Sequence, residues 1–181
     1  MVSILLGKGF EEAEALVPAD LLRRAGVEVA LVGLEDRQVT GSHGVTVMAD
    51  LLLEELDESR IELLMLPGGL GGVESIRVNR SALGLIQRCW ERGCWLAAIC
   101  AAPTILAQLG ILDRRKAVCF PGMEEQMGSA AVQRGAGVVV DGHLITGQAA
   151  GASFDFGLKL VEVLKGSAAA GQVRNGVHYR C

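Results

Sequence analysis

Short apolar runs alternate with amphipathic segments closed by glycine along most of the chain, and this alternation narrows the available folds more than any other feature. Residues 2–6 form the first run. Residues 11–25 follow with apolar side chains at helical spacing (Ala13, Leu16, Val17, Leu21, Leu22, Ala25), and Gly26 stands where a helix ends in the left-handed conformation. Residues 27–32 and 61–66 are the next runs, the second leading into Pro67-Gly68-Gly69-Leu70-Gly71-Gly72. Asn79 or Ser81 can cap a helix that runs through Arg92 and stops at Gly93. Residues 94–99 are a fourth run, followed by a helix from Pro103 to Gly110. Asp141-Gly142, between runs at 138–140 and 144–146, predicts a hairpin, and a last helix covers about 152–165. Apolar strands separated by helices predict an α/β fold whose mainly parallel sheet is sandwiched between helices.

The 181 residues carry no linker, repeat or low-complexity stretch, so residues 1–181 read as one domain. Half the residues are hydrophobic but only 4% are aromatic, which predicts an aliphatic core. The net charge of −4 with scattered Lys and Arg leaves no footprint for nucleic acid. No apolar run approaches membrane-spanning length, and residues 1–6 lack the basic start of a signal peptide, so the expected location is the cytoplasm. The five cysteines, at 89, 94, 100, 119 and 181, are odd in number and include no Cys-x-x-Cys pair. No His stands at ligand spacing from them, so neither a disulfide framework nor a metal site is expected. Cys89, Cys94 and Cys119 read as small buried hydrophobes, and Cys181 is left unassigned.

In parallel sheets ligands sit at the carboxyl ends of strands. Three turns lie there: Gly7-Lys8-Gly9-Phe10-Glu11-Glu12-Ala13-Glu14, Pro67-Gly68-Gly69, and Ala98-Ile99-Cys100-Ala101-Ala102-Pro103. The third fits a nucleophile elbow, which needs small residues two before and two after the nucleophile. Ala98 and Ala102 meet that need around Cys100, although a buried structural cysteine would read the same way. A following helix start at Pro103 would favour thiolate and make Cys100 the most acidic of the five thiols. The second turn can present backbone amides to an oxyanion, or be a plain tight turn. Glu11 and Glu12 read as charges favouring a helix start. Glu14 differs, because Pro18 four residues on cannot bond its carbonyl, so a kink is expected beside an inward-held carboxyl.

Together these segments resemble the ThiJ/PfpI superfamily, within the class I glutamine amidotransferase-like fold of flavodoxin-like type, in the branch of the Parkinson's-disease-associated protein deglycase. Residues 9–26 match, then Leu66-Pro67-Gly68-Gly69, then residues 97–103, with weaker matches at Gly41-Ser42-His43-Gly44 and Ser153-Phe154-x-Phe156. The resemblance implies that Cys100 is a nucleophile touched by Glu14, and that the amides of Gly69 and Ala101 form the oxyanion site. A carboxylate beside a thiolate would repel it, so the pair should share one proton, with Glu14 largely protonated. The sequence departs from the family at Ala101, where the peptidase-like branch has His, and at Phe120, where other relatives carry His. Protease activity is therefore not expected, since amide hydrolysis needs an acid for the leaving amine. Some relatives carry Arg at the position of His43, reaching a neighbouring subunit's pocket, and His43 is either a pocket residue or a solvated loop residue.

The resemblance implies cysteine-dependent detoxification of small α-oxoaldehydes such as methylglyoxal, or removal of glycated adducts, with no organic cofactor, in a homodimer. The alternative is a redox-sensing stress protein or chaperone regulated by oxidation of Cys100. A nucleotide-binding module would rest on Gly7-x-Gly9, but the third glycine of that fingerprint is missing.

Overall fold

The computed structural model describes residues 1–180; the sequence reading of Cys181 falls outside them. The chain runs β1 (Val2–Leu6), α1 (Glu12–Arg24), β2 (Val29–Gly33), β3 (Gln38–Thr40), β4 (Thr46–Met48), β5 (Leu51–Leu52), β6 (Leu63–Leu66), α2 (Leu70–Val78), α3 (Arg80–Glu91) and β7 (Trp95–Ile99). It continues through α4 (Pro103–Gln108), β8 (Lys116–Ala117), β9 (Ala131–Val132), β10 (Val138–Asp141), β11 (Leu144–Gly147), α5 (Ser153–Lys165) and α6 (Ser167–Gly176). Seven strands form one sheet in the order β10-β11-β7-β6-β1-β2-β5. All neighbours pair in parallel except β10 with β11, the hairpin expected at Asp141-Gly142.

Successive side chains of a strand point to opposite faces, and here both faces are covered. Leu64, Leu66, Leu96 and Ala98 pack on one side with Val73 and Ile76 of α2, Leu85 and Ile86 of α3, and Ile105 and Leu106 of α4. Leu63, Met65, Ala97 and Ile99 pack on the other with Leu21 and Leu22 of α1, Phe156 and Val161 of α5, and Val173 of α6. That two-sided burial explains why the strand sequences are continuous apolar runs. Cys89, Cys94 and Cys119 are buried and free, as expected for small hydrophobes.

The helix caps follow the sequence. Asn79 Oδ1 accepts from Ala82 N at 3.0 Å and starts α3, while Gly26, Gly93 and Gly110 take positive φ after their helices. Helix α1 runs unbroken through Pro18 from Glu12 to Arg24. Gly157 of α5 lies against it so closely that a Cβ there would fall 3.0 Å from Pro18 Cα. The β3–β4 hairpin, α2 and α6 were not foreseen. Among the described residues no helix is long and apolar enough to cross a membrane.

Candidate active site

Cys100 follows β7 directly and has φ 66°, a left-handed conformation that costs a residue with a side chain about 1–2 kcal/mol. Its neighbours hold it there. Cys100 N donates to the Gly147 carbonyl at 3.0 Å, and its own carbonyl accepts from Phe120 N at 2.8 Å. Ala98 and Ala102 are fully buried, as the crowding of an elbow requires. The sulfur's residue is partly exposed.

The Pro67-Gly68-Gly69 turn and the start of α1 close around this elbow. Glu11 N donates to the Gly68 carbonyl at 3.0 Å. Gly69 has φ 82°, and a Cβ on it would fall 2.7 Å from the Phe10 carbonyl carbon. A Cβ on Gly68 would fall 2.7 Å from Cys100 Cβ and also strike Glu14 Oε2. Close approach, and not merely turn geometry, is what demands glycine at both positions. Gly68 N donates to Glu14 Oε2 at 2.8 Å. Glu14 is fully buried, and its Oε1 has no protein hydrogen-bond partner of good geometry.

Burial pushes the Glu14 carboxyl up to about 7, against the opposing pull of the Cys100 side chain and the Gly68 amide. Burial likewise pushes the Cys100 thiol up to about 12, reinforced by the Glu14 carboxylate and opposed by the amides of Ala101 and Gly69. Burial and the adjacent acid thus work against the thiolate that the helix start was expected to favour. Helix α4 has only six residues, so its field at the sulfur is outweighed by desolvation and by the adjacent acid. The sharing of one proton between Glu14 and Cys100 keeps its basis, since burial and mutual repulsion both resist a second negative charge.

Glu12 also needs correction. It is buried, and its carboxylate accepts from His43 N at 2.8 Å and Val45 N at 3.3 Å. His43 Nδ1 lies 3.1 Å and Ser42 Oγ 3.2 Å from Oε2. Burial works against the charge, but hydrogen bonds from its own helix start, from His43 and from Val45 bring Glu12 down to about 2. Glu12 therefore ties the 41–45 loop to α1, beyond favouring a helix start. Adjacent acids at a helix start look alike in sequence, so nothing there distinguished it from Glu11. The side chain of His43 is 71% exposed, and its pKa is raised by its hydrogen bond to Glu12 and by the charges of Glu11 and Glu12. The ligand atoms of Glu11, Glu12 and His43 lie within 4.8 Å of one another, the one such grouping among the described residues. Hydrogen bonds that fasten the loop account for it.

A cavity of about 460 Å³ opens over the sulfur. Cys100, Gly69, Ala101 and His43 line it together, so the fold brings these candidates to one place within a single chain; Glu14 lies beneath. Leu70, Phe120 and Met123 line it as well, none of them marked out as lining by any motif.

Comparison with known proteins gives the family. The model of the DJ-1/PfpI family matches residues 1–163. The chain is 36% identical over 177 residues to protein dj-1beta of Drosophila melanogaster, covering 96% of this chain and 94% of that one. It is 33% identical over 165 residues to a protein of Pyrococcus abyssi named a deglycase, covering 91% and 99% of the two chains. The crystal structure of Drosophila DJ-1beta superposes with a TM-score of 0.95 at 32% identity, over 99% of this chain and 98% of that one. On fold, on sequence and on the length of the match, the chain belongs to the DJ-1/PfpI family.

Proposed function

We propose that this protein is a cofactor-independent enzyme that uses Cys100 to convert small α-oxoaldehydes such as methylglyoxal to hydroxy acids, and that the same chemistry removes glycation adducts. One observation carries the reading: a strained, partly exposed cysteine with a buried carboxyl beside it and two backbone amides turned toward its sulfur. Relatives named as deglycases support it.

The steps follow from the shared proton. The thiol adds to the aldehyde carbon while Glu14 takes its proton; the developing oxyanion meets the amides of Gly69 and Ala101 and then receives that proton from Glu14, which gives a neutral hemithioacetal and restores the carboxylate. Glu14 then moves a proton from that carbon to the neighbouring ketone carbon, while the hydroxyl proton passes from the first oxygen to the ketone oxygen. The first carbon becomes a thioester and the second a secondary alcohol, so one is oxidised and the other reduced within one molecule. Water hydrolyses the thioester to the hydroxy acid and frees the thiol. A second copy of the chain, meeting through residues 10–26 and the His43 loop, completes the proposed homodimer, and a reducing cytoplasm keeps the thiol available.

The test is lactate formation from methylglyoxal by the wild type and by Cys100→Ser. Turnover by the wild type alone is the expected result. One oxidised sulfur per chain with no lactate favours the redox-sensor reading.

A further inference from the structure

The cavity over Cys100 is much larger than a three-carbon aldehyde needs. Its volume of about 460 Å³ falls in the range of roughly 300–1,000 Å³ found for sites that hold drug-sized ligands. Leu70 is 74% exposed and Phe120 45% exposed, so two large apolar side chains stand open to solvent around the sulfur, with Met123 completing the apolar lining. Unlike scattered surface hydrophobes, these are fastened to the reacting centre. Leu70 opens α2 immediately after Gly69, whose amide faces Cys100 Sγ. Phe120 N donates to the Cys100 carbonyl at 2.8 Å, and Met123 N donates to the Phe120 carbonyl at 3.0 Å. The polar lining, from Glu11, Ser42 and His43, is already engaged within the loop: Ser42 Oγ donates to Glu11 Oε2 at 3.0 Å, and Glu12 holds His43. The free surface beside the sulfur is apolar.

We infer that this cavity is a subsite for a bulky apolar group, aryl or branched alkyl, carried next to the electrophilic carbon that Cys100 attacks. Resting on the enzymatic reading above, this makes aryl- and alkylglyoxals the preferred substrates over glyoxal and over polyhydroxylated aldehydes. The balance is unchanged: R–CO–CHO and water give R–CH(OH)–COOH, with no outside oxidant or reductant. A ring packed against Leu70 and Phe120 removes their apolar surface from water, and that gain persists in the transition state because the ring stays attached to the reacting carbons.

The test measures kcat/KM for hydroxy acid formation from glyoxal, methylglyoxal, isobutylglyoxal and phenylglyoxal. Cys100→Ser supplies the background, including reaction with arginine side chains. The phenylglyoxal-to-glyoxal ratio of the wild type is expected to exceed that of a Leu70→Ser/Phe120→Ser double variant by roughly tenfold or more, the discrimination that a few apolar carbons supply. Equal ratios in the two proteins overturn the inference. A second measurement is independent of aldehyde turnover: the rate of Cys100 alkylation by N-benzyl iodoacetamide against iodoacetamide, each normalised to free cysteine. Faster benzyl labelling in the wild type, lost in the double variant, is expected. Indifference to the benzyl group overturns the subsite whatever the aldehydes do, whereas benzyl preference without aldehyde turnover keeps the subsite and removes the enzymatic reading.

Discussion

Replacing Cys100 by glycine removes the sulfur and relieves its left-handed backbone together, whereas alanine removes only the sulfur. Both variants should lose turnover, and denaturant unfolding should find Cys100→Gly more stable than Cys100→Ala by about 1 kcal/mol. Glu14 shows a comparable conflict between activity and stability. Its folded pKa of about 7 lies above the ordinary carboxyl value of 4.5, so the folded chain holds that proton more tightly than the unfolded chain does. The resulting stability is complete below about pH 4.5 and is lost as pH rises through about 7, amounting to about 3 kcal/mol. Glu14→Gln should therefore unfold like the wild type near pH 4 and be the more stable of the two at pH 8. Its turnover should nevertheless fall by roughly two to four powers of ten, since Gln keeps the Gly68 hydrogen bond but moves no proton. The wild-type kcat/KM should climb through about pH 7 as Glu14 becomes able to accept the thiol proton, and Glu14→Gln should lack that rise.

Helix α1 serves two neighbours at once, and each contact predicts a different failure. Its Glu12 fastens the 41–45 loop, so Glu12→Ala should cost about 1–3 kcal/mol by removing the partly buried hydrogen bonds that its carboxylate accepts from His43 N and Val45 N. Because Glu12 sits at about 2 when folded and near 4.5 when unfolded, its contribution is present above about pH 4.5 and fades as pH falls toward 2. Acid unfolding monitored by circular dichroism should show the variant losing less over that window than the wild type. On the other side, Gly157→Ala should destabilise by about 1–3 kcal/mol, because the added carbon presses on Pro18 backbone and this outweighs the ~1 kcal/mol by which alanine favours a helix. The elements hidden from the sequence were hidden for local reasons. Helix α2 begins inside a glycine-rich run, where propensity argues against helix; its Gly72 is needed because a Cβ there would fall 2.7 Å from Phe10 Cα. Close tertiary approach leaves no periodic trace.

Across the whole molecule, the layered fold was legible because burial on both sides writes the strands as apolar runs and the glycines punctuate them. The Cys100 elbow was legible from its small neighbours, and Glu14 chiefly from the family resemblance. The acidity of Cys100 was not, because it depends on how deeply Glu14 is buried, a property of packing. For the proposed homodimer, light scattering at micromolar concentration should return twice the chain mass of 19.0 kDa, and a value near the single-chain mass would remove it. Finally, β7 lies inside the sheet, paired up to its last residues with β6 and β11, and Cys100 is the next residue along. Amides of 95–99 should then exchange with deuterium only on global opening, while the 41–45 loop exchanges far sooner. On heating, catalytic decay and loss of the fold should follow a single curve, so that an inactive protein is also an unfolded one.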